Sequence, residues 1–168
     1  MKQMMMILVL LLSMQAAQAQ VRKYERLSWN WELSGWTTHQ TAEQLILNNY
    51  NSRPTVPLLL AIQRGNQYQG KPDAAFSEAW QRYFQLADTF LLPRFRRLYN
   101  ADGDLMLTAG AEMEGPEGKG YYTMYLFCAD QFAQAIVLKA ENQKIFKPIS
   151  YDWLDKMMAV DLANKRRE

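Results

Sequence analysis

The chain contains one cysteine, Cys128, and one histidine, His39. A single cysteine excludes an intramolecular disulfide, and with it any scaffold stapled by several bridges. One imidazole and one thiol cannot make a zinc site unless carboxylates converge on them from distant segments. Charge of one sign is also scarce in excess: 19 basic against 17 acidic residues give a net charge of +2. That is too little to point to a nucleic acid or an anionic membrane as partner. What the chain does have is apolar surface. A hydrophobic fraction of 49% and an aromatic fraction of 12% exclude intrinsic disorder, and 168 residues suit one domain.

The N-terminus carries the most specific local signal. Lys2 gives a short positive segment, Met4 to Met14 an apolar one, and Ala17-Gln18-Ala19 a small-residue cleavage pattern before Gln20. The apolar run is shorter than the roughly 20 residues a transmembrane helix needs, so a cleaved signal peptide over 1–19 is expected rather than an anchor. The mature chain, 20–168, is then nearly neutral, because cleavage removes only Lys2. No cysteine sits near the cleavage point, so lipid attachment has no acceptor there.

Asp73 to Tyr99 looks like the organising element. Phe76, Ala79, Trp80, Tyr83, Phe84, Ala87, Phe90 and Leu91 recur at spacings of three and four, while Ser77, Glu78, Gln81, Arg82, Gln85, Asp88 and Thr89 fall on the other side. This spacing predicts a long amphipathic helix, capped by Asp73 and stopped or kinked near Leu92 by Pro93. Leu27, Trp29, Trp31 and Leu33 alternate with polar residues, which predicts a strand ended by Gly35. Thr41, with Gln44 three residues on, resembles a capping box and predicts a short helix to Tyr50. The apolar run from Val56 to Gln63, with Pro57 early and Gly65 after it, reads as a second short helix. Leu105 to Ala111 and Tyr121 to Phe127 alternate as two buried strands, joined by a Gly-rich loop from Glu114 to Gly120. Phe132, Ala133, Ile136, Val137 and Ala140 trace a helical stripe over Asp130 to Glu141, though strand, turn, strand also fits. Ser150 caps a last helix with Trp153, Leu154, Met157 and Met158 inward.

The inventory of reactive groups is short. His39, Cys128 and Asp130 could form a thiol hydrolase, but His39 lies in a polar segment and Cys128 in the apolar run YLFCA, where burial favours an inert thiol. Asn100, Asp102 and Asp104 alternate like the start of a calcium loop, yet glycine is at the fourth place and no glutamate at the twelfth. Glu112, Glu114 and Glu117 could pair for glycoside chemistry, though exposed solubilising charge on a loop explains them better. Met106, Met113, Met124, Met157 and Met158 are soft ligands scattered through apolar runs, the pattern of core filler. Trp29 and Trp31 share a strand face and could stack on a sugar, but Leu27 and Leu33 on that face point to core. Arg94, Arg96 and Arg97, and Lys165, Arg166 and Arg167, are expected at helix C-termini, where the backbone dipole favours them.

The expectation is an α+β domain: a helical N-terminal half with a long central helix packed on a small antiparallel sheet, closed by a C-terminal helix. Its expected role is that of a soluble extracytoplasmic protein, periplasmic or secreted, that binds a protein partner in the cell envelope as an accessory of a larger assembly. No catalytic, cofactor or metal residues are assigned. The candidate interaction loop is Glu114, Glu117 and Lys119. The competing reading is a small extracytoplasmic hydrolase acting on peptide, glycan or lipid.

Overall fold

A strand buried on one face alternates apolar and polar residues, whereas a strand covered on both faces reads as a continuous apolar run. That distinction decides this fold. The computed structural model describes residues 23–28, 35–49, 59–85, 94–99, 105–129 and 131–144. Within them lie β1 (Lys23–Tyr24), β2 (Leu27–Ser28), β3 (Trp36–Gln40), β4 (Gln44–Asn49), β5 (Leu59–Gln63), β6 (Asn66–Gln67), α1 (Pro72–Phe84), β7 (Arg96–Tyr99), β8 (Leu105–Gly115), β9 (Gly118–Ala129) and β10 (Phe132–Ala140). β1 and β2 form a small hairpin. The remaining strands make one sheet in the order β3-β4-β5-β10-β9-β8-β7, with β6 also on β10, and every pairing is antiparallel.

The expected α+β fold with a helical N-terminal half is therefore overturned: the described residues are mostly antiparallel strand, with one short helix. Three segments expected as helix are strands. Gln44–Asn49, Leu59–Gln63 and Phe132–Ala140 lie at or near the middle of the sheet, where both faces are covered. On one face, Ile46, Leu59, Ala61, Leu107, Met124, Leu126, Ala135 and Val137 pack beneath α1. On the other, Leu45, Leu47, Leu60, Ile62, Met106, Tyr125, Phe127, Ile136 and Leu138 form a second cluster that also takes Tyr24 and Leu27 from the β1–β2 hairpin. With no polar face, β4, β5 and β10 carry no two-residue alternation to betray them.

Thr41 does the chemistry expected of a cap, but for a turn. Its Oγ1 accepts from the amides of Glu43 and Gln44, both at 3.2 Å, inside the β3–β4 connection. The same hydroxyl-to-amide bonds that start helices also close turns, so the residue pattern alone could not separate the two. Gly65 likewise stops no helix. Five residues from Ile62 to Asn66 oppose four from Ile136 to Ala133, so a bulge separates β5 from β6 along β10. The Phe132 ring lies directly on Gly65, in the space a Cβ would take.

The helix is real but shorter than expected. It starts on Pro72 with Lys71, not Asp73, at the N-cap position, and no side chain caps it. Asp73 sits in the first turn and pairs with Arg97 of β7, with N···O distances of 2.6 and 2.7 Å. Gln85 ends the helix in the left-handed region at φ 52°, a conformation usual for glycine, so the sequence gives no warning of the stop. Phe76, Trp80, Tyr83 and Phe84 project from α1 onto a sheet face kept low by Ala61, Ala109, Ala133 and Ala135. Large rings above small residues let helix and sheet approach closely. Arg96 and Arg97, expected at a helix C-terminus, belong instead to the edge strand β7.

The β8–β9 hairpin matches its expected strands but not its loop. Pairing continues unbroken to Gly115 opposite Gly118, so the connection is only Pro116-Glu117. Proline fixes φ near −65° at the first turn position, and Gly118 takes φ +85° after it. A left-handed glycine just after the turn residues is a common device of short hairpins. The signal peptide over 1–19, Trp29 and Trp31, Asn100 to Asp104, Asp130, and the helix expected from Ser150 lie outside the described residues. Among the described residues no helix is long and apolar enough to cross a membrane.

Candidate functional site

Beside α1, on the helix-bearing face of the sheet, a cleft of about 220 Å³ opens between four pieces of chain. The C-terminal turn of α1 and its exit contribute Arg82, Tyr83 and Gln85. The start of β4 with its preceding turn contributes Glu43 and Gln44, and the β5–β6 bulge contributes Gln63, Arg64 and Asn66. The β8–β9 turn closes it with Pro116 and Glu117. A smaller extension of about 60 Å³ shares Gln63, Arg64, Asn66 and Arg82, and runs along α1 past Glu78 and Ala79 toward Tyr68.

The strand order explains why these residues meet. β10 holds β5 and β6 on one side and β9 on the other, so the bulge and the hairpin turn, more than 50 positions apart in sequence, are carried by one strand. The hairpin turn is held by side chains as well. Lys139 of β10 donates to the Glu117 carbonyl, and the Tyr122 hydroxyl donates to the Gly118 carbonyl at 2.6 Å. Gly115 makes room for that Tyr122 ring, since a Cβ there would stand 2.6 Å from it. Tyr122 in turn meets Phe84 of α1 edge to face at 5.2 Å, which ties the turn to the helix end.

Opposite charges line the cleft without cancelling one another. The ion pairs among the described residues are Arg64 with Glu25, at 3.5 Å, and Arg97 with Asp73. Arg64 is thus committed to Glu25, which also accepts the Gly65 amide at 2.5 Å. Arg82, Glu43 and Glu117 make no ion pair among the described residues, although all three face the same space. Tyr83 adds an uncharged donor. It is 7% exposed, lines the cleft, and its hydroxyl has no hydrogen-bond partner among the described residues. Burial, with the nearby Tyr122 and Glu117, pushes its phenol well above the ordinary tyrosine range, so it stays protonated and able to donate.

Of the residues singled out from the sequence, only Glu117 reaches this cleft. Glu114 and Lys119 face one another across the hairpin, one pair back from its end. Glu112 and Glu114 alternate away from Ala111 and Met113, which pack on the helix-side core, so the loop carboxylates do not converge with Glu117. Met106 and Met124 are buried on opposite faces of the sheet. His39 is exposed on edge strand β3, opposite Ile46. Cys128 is buried on β9, four strand spacings away, or about 19 Å at about 4.8 Å each. The thiol–imidazole pair therefore cannot form. Burial pushes the Cys128 thiol up to about 11, partly offset by its hydrogen bond with Tyr68. A thiol so placed is protonated and unreactive near neutral pH.

Arg82, Tyr83 and Glu43 were not recognisable as site residues. On a helical pattern Arg82 reads as solvated face and Tyr83 as core, and they sit at the boundary between the two. Only the long-range pairing through β10 reveals that a cleft lies at that boundary. No protein-family model matches the chain, and no curated protein matches it.

Proposed function

We propose that this chain is an extracytoplasmic, non-enzymatic binding protein that takes its ligand in the cleft beside α1 and serves as an accessory of an envelope-associated assembly. Export is supported by the n-region, apolar run and A-x-A pattern before Gln20. Binding is supported by one observation above the rest: the side chains of Arg82, Glu43, Glu117 and Tyr83 line one cavity, and none of the four has a side-chain hydrogen bond or ion pair among the described residues. Concave sites with a few convergent polar groups are the usual form of a ligand site. The hydrolase reading loses its leading pair, since His39 and Cys128 are held on strands that do not meet.

The test is an amide spectrum of isotope-labelled mature protein titrated with an extract of its native envelope fraction. Shifts concentrated at Glu43, Gln63, Arg82, Tyr83 and Glu117 are expected. Unmoved cleft signals would overturn the assignment of the site. Hydrolysis of a peptide, glycan or lipid substrate that His39→Ala abolishes would overturn the non-enzymatic reading.

A further inference from the structure

The β1–β2 hairpin has strands of two residues each, too short to hold its shape without outside contacts. Tyr24 and Leu27 seat it in the core, at 8% and 0% exposure. Its polar contacts all run to one place, the β5–β6 bulge. Glu25, at the first position of the two-residue turn, has φ 52°, a region that glycine favours. Its carboxylate reaches across 40 positions of sequence to accept the Gly65 amide at 2.5 Å, and it pairs with Arg64 at 3.5 Å. Beside it, the Arg26 guanidinium lies 3.9 Å from the centre of the Phe132 ring, the same ring that rests on Gly65. Gln134, 1% exposed, completes the set. Its Nε2 donates to the Tyr24 carbonyl at 3.2 Å and to the Gln63 carbonyl at 3.1 Å, so one side chain ties hairpin to bulge.

The bulge depends on such ties. Gln63, Arg64 and Gly65 stand opposite only Ala135 and Gln134, and none of the three pairs with β10. From the β4 side, the Arg64 amide is held by the Glu43 carbonyl at 2.7 Å and Gln63 pairs with Gln44. Gln63, Arg64 and Asn66 line both the cleft and its smaller extension. We infer that the β1–β2 hairpin is a clasp on the bulge: docked, it fixes this wall of the cleft, and its release is the motion that reshapes the cleft. Glu25 is the positioning residue, acting through Arg64 and Gly65 without lining the cleft itself. A glutamate in a backbone conformation usual for glycine fits this role, since glycine would ease the turn but lose the carboxylate. The clasp bears on binding only if the cleft is the ligand site proposed above; its own test needs no ligand, so either can fail without the other.

The test is native-state hydrogen exchange of the full-length mature protein, read residue by residue without ligand. Glu25→Ala removes both carboxylate contacts, while Glu25→Gln removes the charge and keeps an oxygen able to accept the Gly65 amide. In Glu25→Ala the Gly65 amide should exchange at least tenfold faster than in the parent, and in Glu25→Gln by a smaller factor. The Arg64 amide is the sharper reporter, because its acceptor is Glu43 and not Glu25. It should also speed up several-fold in Glu25→Ala, with shifted amide signals at Gln63 and Asn66, while Tyr122, Met124 and Val137 of β9 and β10 keep their parent rates. Faster exchange at Gly65 alone, with Arg64, Gln63 and Asn66 unmoved, would overturn the clasp, because only a single bond would have been lost. Unchanged exchange at Gly65, or a rise spread evenly over β9 and β10, would overturn it as well.

Discussion

Trp80 is the residue on which helix and sheet depend most, and truncating it gives the sharpest energetic test of the packing. Its side chain is fully buried, with ring centroids 6.0 Å from Phe76 and 4.6 Å from Phe84. A buried aromatic removes roughly 150–250 Å² from water, which at about 25 cal/mol per Å² is worth about 4–6 kcal/mol. Alanine keeps a little of that area and leaves a cavity, so Trp80→Ala should cost about 3–5 kcal/mol. This is a large share of the roughly 5–15 kcal/mol that stabilises a typical domain. The indole also hides a cost: its N–H is buried with no partner among the described residues. A buried unpaired donor costs about 1–3 kcal/mol. Trp80→Phe loses part of the ring, at about 1–2 kcal/mol, but removes that donor, so the two changes offset. Trp80→Phe should therefore lie within about 1 kcal/mol of the parent. Urea denaturation followed by far-UV circular dichroism reads both values, provided the slope with denaturant is unchanged. A cost below about 1 kcal/mol for Trp80→Ala, or equal costs for the two variants, would refute this account of the helix–sheet interface.

Gly65→Ala places a methyl group where the Phe132 ring lies, and should lower stability by about 1–3 kcal/mol; pairing it with Phe132→Leu should recover part of the loss, and a neutral single variant would contradict the bulge. The Cys128 thiol should resist a thiol reagent in the native protein at pH 8 and react promptly in denaturant, while prompt native labelling would show it to be accessible. Because folding raises that thiol from 9.0 to about 11, the unfolded chain releases the proton first, so stability is lost as pH rises through that window. Urea midpoints at pH 8 and pH 10.5 should therefore fall further for the parent than for Cys128→Ala, and equal falls would remove the thiol as a cause. His39→Ala, on an exposed edge strand, should leave the melting temperature within about 2 °C of the parent, a surface substitution being worth at most about 0.5 kcal/mol.

What the sequence revealed and what it hid follow from where polar residues fall. The β8–β9 strands were legible because small and polar residues such as Thr108, Gly110 and Thr123 break the apolar run at regular intervals. The stripe Phe76, Trp80, Tyr83 and Phe84 was legible because one face of α1 meets solvent. β4, β5 and β10 were not, because both their faces are covered and an apolar run such as LLLAI or AIVL fits helix and strand equally. Length was the discriminating clue: runs of four to eight apolar residues suit strands better than helices. Thr41 and Asp73 show a different limit. Each is a residue that caps helices, and each is used here otherwise, Thr41 to close a hairpin and Asp73 to bind Arg97 across the sheet edge. The candidate loop was half legible. Pro116-Glu117-Gly118 is a turn signature, but three glycines suggested a seven-residue loop where Gly115 and Gly120 are instead paired strand residues. Glu117 is at the cleft by virtue of that tight turn.

Everything proposed for the cleft depends on β10 being a strand that seats β5 and β6 on one side and β9 on the other. Nuclear Overhauser contacts across that pairing test it most directly. Backbone contacts are expected between Ala61 and Val137, between Leu60 and Leu138, and between Val137 and Met124, with none of the i to i+3 contacts of a helix over 132–140. Helical i to i+3 contacts along Phe132 to Ala140, or a shift of one residue in the β5–β10 pairing, would move Gln63, Arg64 and Asn66 away from Arg82 and Glu117 and contradict the site itself.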